Sequence, residues 1–182
     1  MTKLLRTLRL DLSDTFVFER AAEPGRWAVP GSVLVWDADL ETLAPKARAA
    51  FRSGFVDILG LGHSTLVEVA EIDETERSAL VDAFADRLFQ RFGAPDRETA
   101  HAAAQDEIAF AMSLCDHPPG TVIAMHRTME GGEIKERFRT LRLREPGQLG
   151  SDRLHSHARA FEFVETDEPE EQVDLLGLMG KR

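Results

Sequence analysis

The residues that could do chemistry are concentrated in one stretch, "LCDHPPGTVIAMHRT", which covers residues 114 to 128. It places the only cysteine, Cys115, beside Asp116 and His117, and a second histidine, His126, follows shortly after. A nucleophilic cysteine needs a nearby histidine and surroundings that lower the pKa of its thiol. Cys115 instead falls on the apolar side of a predicted helix, at the C-terminal end, where the helix dipole disfavours a thiolate. We therefore expect Cys115 to be a small buried core residue, and the sequence predicts no catalytic residue.

Metal binding is the second chemistry that the histidines suggest. A metal site needs three or four converging ligands. In "HSH", His155 and His157 would project to the same side of a strand and could bind one ion together. Spacing indicates no third ligand, so the sequence does not favour a metal site. If a metal did bind, His155 and His157 would be its candidate ligands. The sequence predicts no cofactor.

The glycine-rich stretch "GLGHST", residues 60 to 65, invites comparison with phosphate-binding loops. It lacks the lysine of such a loop and is followed by a strand-like segment in place of a helix. It also differs from the nucleophile elbow of serine hydrolases, because Leu66 stands where a second glycine is needed. We interpret the stretch as a turn between strands, and His63 and Ser64 are the loop residues that we expect to contact a small ligand, if one binds.

Gly131 and Gly132 predict a two-residue hairpin turn between "TVIAMHRT" and "EIKERFRTL". The register of that turn places Arg127 opposite Glu136 on an otherwise apolar face. The other face is polar and pairs His126 with Arg137, which makes both residues candidates for ligand contact. The predicted pairs are Ile123 with Thr140, Ala124 with Arg139, Met125 with Phe138, His126 with Arg137, Arg127 with Glu136, Thr128 with Lys135, and Met129 with Ile134.

These elements, with the rest of the pattern, predict a single α+β domain over residues 1–165, followed by an acidic and then apolar C-terminal tail over residues 166–182. The domain is expected to have a mainly antiparallel sheet with about three helices packed mostly on one face. Helices are predicted from near Pro45 to residue 54, after an Asp73 cap, and from about Asp96 to Cys115. Further strands are predicted over 4–11, 15–20, two short segments within 26–37, 55–62, 64–72 and 158–165.

Charge is distributed unevenly along the chain, whose formal net charge is −10. Residues 165 to 174 hold six acids and no base, and the rest holds 26 of the 32 acids with all 22 bases. Such a charge disfavours nucleic acid as a partner. The acidic segment 165–171 of the same or a neighbouring subunit is expected to lie across the exposed bases Lys135, Arg137 and Arg139.

No apolar run is long enough to cross a membrane, no signal-peptide pattern is present, and a single cysteine makes no internal disulfide. We therefore expect a cytoplasmic protein without membrane contact. The alanine-rich third helix allows close approach to another element or subunit, and we expect a homodimer.

Three segments carry a resemblance: "RTLRLDLSDTFVFERAAEPGRWAVPGSVLVWD", "KARAAFRSGFVDILGLGHSTLVEVAE" and "GTVIAMHRTMEGGEIKERFRTLR". Together they resemble a family of small bacterial proteins of unknown function, whose members are encoded beside accessory genes of molybdenum enzymes such as formate dehydrogenase and beside a biotin/lipoate ligase-like protein. The likeness covers most of residues 3 to 143. It contains no catalytic motif, so it implies a bacterial accessory role and assigns no site residue.

The sequence is compatible with two functions. The first is a non-catalytic cytoplasmic accessory or interaction module, which the resemblance links to molybdoenzyme maturation, with the C-terminal tail as one surface for a protein partner. The second is a small-molecule or metal-binding enzyme whose pocket would be lined by His63, Ser64, His126 and the histidines at 155 and 157.

Overall fold

One antiparallel sheet forms the centre of the molecule, for which a computed structural model describes residues 2–142, 164–165 and 173–174. Its order is β4-β3-β2-β1-β5-β6-β7-β8, and β9 also pairs with β7. The strands are β1 (Thr2–Leu8), β2 (Trp27–Val29), β3 (Phe55–Asp57), β4 (His63–Ser64), β5 (Leu66–Ile72), β6 (Val122–Glu130), β7 (Glu133–Arg142), β8 (Val164–Glu165) and β9 (Val173–Asp174).

Helices complete the α+β fold that the sequence predicts. They are α1 (Ser13–Val17), α2 (Pro45–Ser53), α3 (Glu74–Arg91) and α4 (Arg97–Ser113), with a 3₁₀ turn at Ser32–Leu34. The long helices α3 and α4 pack against each other, and α4 also packs on β1 and β2. Among the described residues, no helix is long and apolar enough to cross a membrane.

Side-chain caps fix the starts of the two long helices, as the sequence predicts for α3. Asp73 accepts a hydrogen bond from the Glu76 backbone N–H at 2.8 Å, and Asp96 accepts one from Thr99 N–H at 2.6 Å. The Glu76 carboxylate does not complete a capping box. It accepts a hydrogen bond from Trp27 Nε1 at 2.7 Å and so links α3 to β2.

The predicted apolar stripe of α4 is confirmed and faces the core. It packs with the apolar side of α3, including Leu80, Phe84 and Leu88, and with Leu4, Leu5 and Val69 of the sheet, in one continuous cluster. The stripe consists of Ala100, Ala104, Ile108, Ala111 and Cys115. Its small side chains allow the helix to lie close to its neighbours.

The hairpin register predicted from the glycine pair is confirmed at all seven positions. Gly131 and Gly132 both have positive φ angles, 61° and 82°, as a tight hairpin turn requires. Ile123 and Met125 are buried and His126 is exposed, so the two faces of β6 separate as the alternation predicts.

Two strand predictions are wrong. Residues 15–20 were predicted as a strand from their aromatic and β-branched content, but α1 occupies Ser13–Val17. The second short strand expected after Pro30 is instead a 3₁₀ turn, because Gly31 adopts a left-handed conformation with φ 79° and redirects the chain. Of the strand predicted over 158–165, Val164–Glu165 is β8 and the remainder lies outside the described residues.

Candidate functional site

The residues predicted to contact a ligand differ in their exposure and in the groups they contact. His126 is exposed on the polar face of β6, opposite Arg137. Ser64 is buried, and its hydroxyl lies 2.7 Å from the carbonyl oxygen of Leu66 and 3.2 Å from that of Leu8. The Ser64 hydroxyl is therefore bonded to backbone carbonyl oxygens, whereas the His126 side chain is exposed. His155 and His157 lie outside the described residues.

His63 is half-buried in β4, next to α1 and α2. Its ring centroid lies 5.6 Å from that of Phe18, the buried residue that follows α1. Burial lowers the pKa of the imidazole, and the positive charge of Arg127 lowers it further.

Cys115 is 2% exposed, and its thiol lies 3.3 Å from the carbonyl oxygen of Ala111 in the preceding turn of the helix. Burial raises the pKa of the thiol to about 12. A thiolate is therefore strongly disfavoured, which is the opposite of what a cysteine nucleophile needs.

Among the residues the structure describes, no group of three His, Cys, Asp or Glu side chains is placed to hold a metal ion. A surface depression of about 270 Å³ lies between α3 and α4 and contains acidic, basic and histidine side chains. These side chains already contact each other: Arg97 Nη1 lies 2.9 Å from Asp86 Oδ1, and His101 Nε2 lies 3.2 Å from Asp82 Oδ1.

The most concentrated group of buried charge lies under α2 and α4, and we call it the buried polar cluster: Ser32, Glu107, Arg127 and Glu136. Arg127 of β6 is its centre. Its Nη2 and Nε atoms both lie 2.7 Å from Glu136 Oε1, and the Ser32 hydroxyl donates to the same carboxylate oxygen. Both members of the ion pair are almost fully enclosed, with Arg127 2% and Glu136 1% exposed.

Arg127 also ties distant backbone segments to the sheet. Its Nη1 donates to the carbonyl oxygen of Phe51, at the end of α2, at 2.9 Å. Its Nη2 donates to the Pro30 carbonyl at 2.8 Å, just before the 3₁₀ turn. The guanidinium carbon lies 5.6 Å from the centroid of the Phe51 ring, within cation–π range. One side chain therefore fixes the positions of a helix end and a turn.

Glu107 joins α4 to the same turn from the other side. Its Oε1 accepts hydrogen bonds from the backbone N–H groups of Gly31 at 2.6 Å and Ser32 at 3.2 Å. Burial raises the pKa of Glu107 to about 7, and the nearby Glu136 charge raises it in the same direction. Glu136 Oε2 is, within the described part of the chain, the one buried side-chain oxygen or nitrogen without a hydrogen-bond partner.

A carboxyl group with a pKa near 7 could exchange protons at neutral pH, as general acids and bases do. In this fold, however, Glu107 is only 6% exposed and the other three side chains of the buried polar cluster are no more open. A substrate outside the molecule does not reach them. The geometry therefore supports a role in joining β6, β7, α2, α4 and the 3₁₀ turn.

A second unusual arrangement is found at α1, where the ordinary distribution of polar and apolar residues is inverted. Asp14 is 6% exposed, whereas Phe16 is 75% and Leu12 is 64% exposed. The Asp14 carboxylate accepts hydrogen bonds from the Thr65 backbone N–H at 3.1 Å and from the Thr65 hydroxyl at 2.5 Å. We call the outward-facing residues of this segment the α1 apolar patch: Leu10, Leu12, Phe16 and Val17.

The sequence analysis did not identify Ser32, Glu107 or Asp14. Glu107 carried a signal, because an acid at this position interrupts the helical stripe that runs from Ala104 to Ile108 and Ala111. An acid on a buried stripe indicates a specific partner. Asp14 carried no comparable signal, since "DLSD" is also an ordinary turn sequence.

The chain matches a described protein family over residues 1–160. That family is DUF6505, a family of unknown function. No curated protein and no solved structure matches the chain. Since the match extends over most of the sequence, including the buried polar cluster and the α1 apolar patch, the chain belongs to the DUF6505 family.

Proposed function

We propose that this protein is a non-catalytic accessory module that binds another protein through the α1 apolar patch. The observation that carries the proposal is the inversion at α1, where Asp14 is buried while Leu12 and Phe16 face outward. Large apolar side chains grouped on a surface are characteristic of interaction sites, whereas scattered ones are ordinary.

The α1 apolar patch is held in place from both sides. Asp14 anchors α1 to the turn before β5 through Thr65, and Phe18, which is fully buried, anchors the end of the helix. Phe16 projects from between these two anchors. Preorganisation of this kind supports binding because less conformational freedom is lost when a partner docks.

The exposed charges of α2, the helix that packs against α1, indicate the chemistry of one side of the partner's rim. Helix α1 packs against α2, and the exposed charged residues of α2, which are Lys46, Arg48 and Arg52, are all basic. A protein surface with an apolar centre and carboxylates at the rim next to α2 complements this arrangement. We therefore propose such a protein, in preference to a second copy of this chain or a lipid surface, as the partner.

The proposal also includes the cellular location of the protein and the process that it assists. A bacterial cytoplasmic protein that assists the maturation of molybdenum enzymes would agree with the resemblance described above. A homodimer remains a proposal from the sequence, although the alanine stripe of α4 packs inside the chain, and size-exclusion chromatography with light scattering would test it.

The experiment replaces Phe16 by the photo-crosslinking amino acid benzoylphenylalanine in the full chain, in the cells that produce the protein. The same replacement at Phe92, which is 44% exposed at the end of α3, is the matched control. A protein that cross-links at position 16 alone is purified, and its affinity is titrated against the unmodified chain, Phe16→Ser and Phe92→Ser. We expect Phe16→Ser to weaken binding at least tenfold, because exposed aromatic anchors carry much of the affinity of an interface, and Phe92→Ser to leave it unchanged.

Three results would overturn the proposal. These are equal affinity of the purified partner for Phe16→Ser and for the unmodified chain, cross-linking of position 16 to lipid, and cross-linking of position 16 only to another copy of this protein.

A further inference from the structure

The outer edge of β7 pairs with the C-terminal part of the chain at two separate places. Near one end, Leu141 pairs with Glu165 and Arg142 with Val164. Near the other end, Lys135 pairs with Asp174 and Glu136 with Val173. Both pairings are antiparallel, and β8 pairs with the end of β7 while β9 pairs nearer its start.

The hairpin register fixes which backbone groups of β7 face that edge. The two-residue turn makes Glu130 and Glu133 a hydrogen-bonded pair, and hydrogen-bonded pairs then recur at every second residue. The N–H groups of Arg137 and Arg139 therefore point toward β6. Those of Phe138 and Thr140 point toward the outer edge, where a further strand can accept their hydrogen bonds.

The side chains at this edge are strongly basic on one face. Lys135, Arg137 and Arg139 are all exposed, and they alternate with the buried or half-buried residues of the other face. The residues between β8 and β9 have the opposite charge, with four acids and no base: Asp167, Glu168, Glu170 and Glu171. The connection thus has the charge that complements this face of β7.

We propose that the outer edge of β7 is a strand-addition site for an acidic extended segment, and that residues 164–174 of the same chain are its occupant. Residues 166–172 connect two pairings that are separated on β7 by residues 137–140 alone. The connection is therefore longer than a continuous strand needs, which lets its carboxylates reach the basic side chains. Pro169 suits this position, because proline is tolerated at a sheet edge.

Residues 164–174, the proposed occupant, lie outside the part of the chain that matches the family. The DUF6505 match ends at residue 160, so β7 belongs to the matched part while β8 and β9 follow it. A strand as long as β7 at an open edge would be a site for pairing with other chains unless it were covered. The acidic segment supplies that cover, and its charge selects which extended segments the edge accepts.

Amide hydrogen exchange measured by NMR on the full chain tests the proposal. The test variant is Asp167→Asn, Glu168→Gln, Glu170→Gln and Glu171→Gln together. We expect the Phe138 and Thr140 amides to exchange slowly in the unmodified chain and at least tenfold faster in the variant. The Arg137 and Arg139 amides, which bond to β6, serve as internal references and should change less than twofold. Raising the salt concentration from 0.05 to 1 M should weaken the outer protection of the unmodified chain in the same way.

A matched control removes the same number of charges from exposed positions elsewhere: Glu23→Gln, Glu71→Gln, Glu98→Gln and Asp106→Asn. This control should retain the outer protection. The proposal is overturned if the Phe138 and Thr140 amides exchange freely in the unmodified chain, or if both variants lose protection equally. Occupancy by the same chain is overturned if light scattering shows an oligomer that dissociates when the four tail acids are neutralised.

Discussion

Arg127 and Glu136 lie directly opposite each other in the β6–β7 ladder, with Arg127 Nη2 2.7 Å from Glu136 Oε1 and both side chains enclosed. The pair stands on the face of the hairpin that packs against the helices, where its neighbours are Met125 and Phe138. Burying two charges costs free energy that their mutual attraction barely offsets. The net stabilisation of the folded state by Arg127 comes from its additional hydrogen bonds to the Pro30 and Phe51 carbonyl oxygens, which form only in the correct fold.

Removing one member of this pair should be costly. We expect Arg127→Met to lower the free energy of unfolding by roughly 3–5 kcal/mol, because it leaves the Glu136 carboxylate buried without its counter-ion. Urea unfolding followed by circular dichroism measures the change. The matched control is Arg6→Met, which removes an ion pair of the same 2.7 Å length to Glu68, but with Arg6 42% exposed. That control should cost no more than about 1 kcal/mol.

Removing both charges separates the two contributions. The double variant Arg127→Met with Glu136→Leu should be more stable than Arg127→Met alone, since no uncompensated charge is left in the core. A double variant as unstable as the single one would show that the uncompensated Glu136 charge adds nothing to the cost of Arg127→Met, and that the lost hydrogen bonds to Pro30 and Phe51 account for all of it.

The stability of the protein should depend on pH through Glu107. Its pKa is raised from 4.5 to about 7 in the folded chain, chiefly by burial. The folded state therefore favours the protonated form, so this contribution is fully present below about pH 4.5 and is lost as pH rises through 7. At roughly 1.4 kcal/mol for each pH unit between the two values, the loss is on the order of 3 kcal/mol.

Glu107→Gln isolates this contribution, because the amide oxygen can still accept from Gly31 and Ser32 while the side chain stays neutral. Relative to the unmodified chain, we expect the variant to gain stability between about pH 4.5 and pH 7 in urea unfolding, and the difference to level off above about pH 8. Asp106→Asn, at an exposed position on the same helix, should leave the pH profile unchanged. A Glu107→Gln profile parallel to that of the unmodified chain would contradict the raised pKa.

Cys115 should be inert in the folded protein. Its thiol is buried, and its pKa is raised to about 12, so both access and the thiolate fraction are low. Reaction with Ellman's reagent at pH 8 should therefore be slow without denaturant and should become rapid and stoichiometric across the urea unfolding transition. Rapid labelling of the folded chain would show that the C-terminal end of α4 opens readily.

The parts of the fold that the sequence predicts correctly are those set by local rules. The β6–β7 register follows from Gly131–Gly132 and from the alternation of side chains, and both are contained within neighbouring residues. The α4 stripe follows in the same way from helical periodicity. The Arg127–Glu136 pair was thus placed correctly from the sequence, because the hairpin alone determines it.

The errors and omissions have a common physical cause, which is contact between residues far apart in the chain. Residues 15–20 have the composition of a strand, but Asp14 bonds to Thr65, and this tertiary contact outweighs local β propensity. The bond from Glu107 to the Ser32 backbone spans 75 residues, and no spacing rule predicts it. Long-range polar contacts of this kind define both the buried polar cluster and the α1 apolar patch.

The turn that presents its N–H groups to Glu107 depends on Gly31, and a comparison of two glycines tests this dependence. Gly31 and Gly93 have similar positive φ angles, 79° and 72°. A Cβ atom at Gly31 would lie 2.4 Å from Val56 Cγ2, whereas one at Gly93 would meet nothing within 4 Å. Gly93→Ala should therefore cost only the left-handed backbone strain, about 1–2 kcal/mol. Gly31→Ala adds a steric clash in the core, worth roughly 1–3 kcal/mol more.

Urea unfolding of the two variants side by side measures the difference. If the clash also displaces the Gly31 and Ser32 N–H groups from Glu107, Gly31→Ala should change the pH dependence of stability as well, while Gly93→Ala should not. Equal losses of stability would mean that Val56 moves aside without cost, and an ordinary residue would then be tolerated at position 31, directly before the 3₁₀ turn. Glu107 and Arg127 both bind the backbone at this turn. The effect of a side chain at position 31 therefore measures how rigidly the buried polar cluster joins α4 to the sheet.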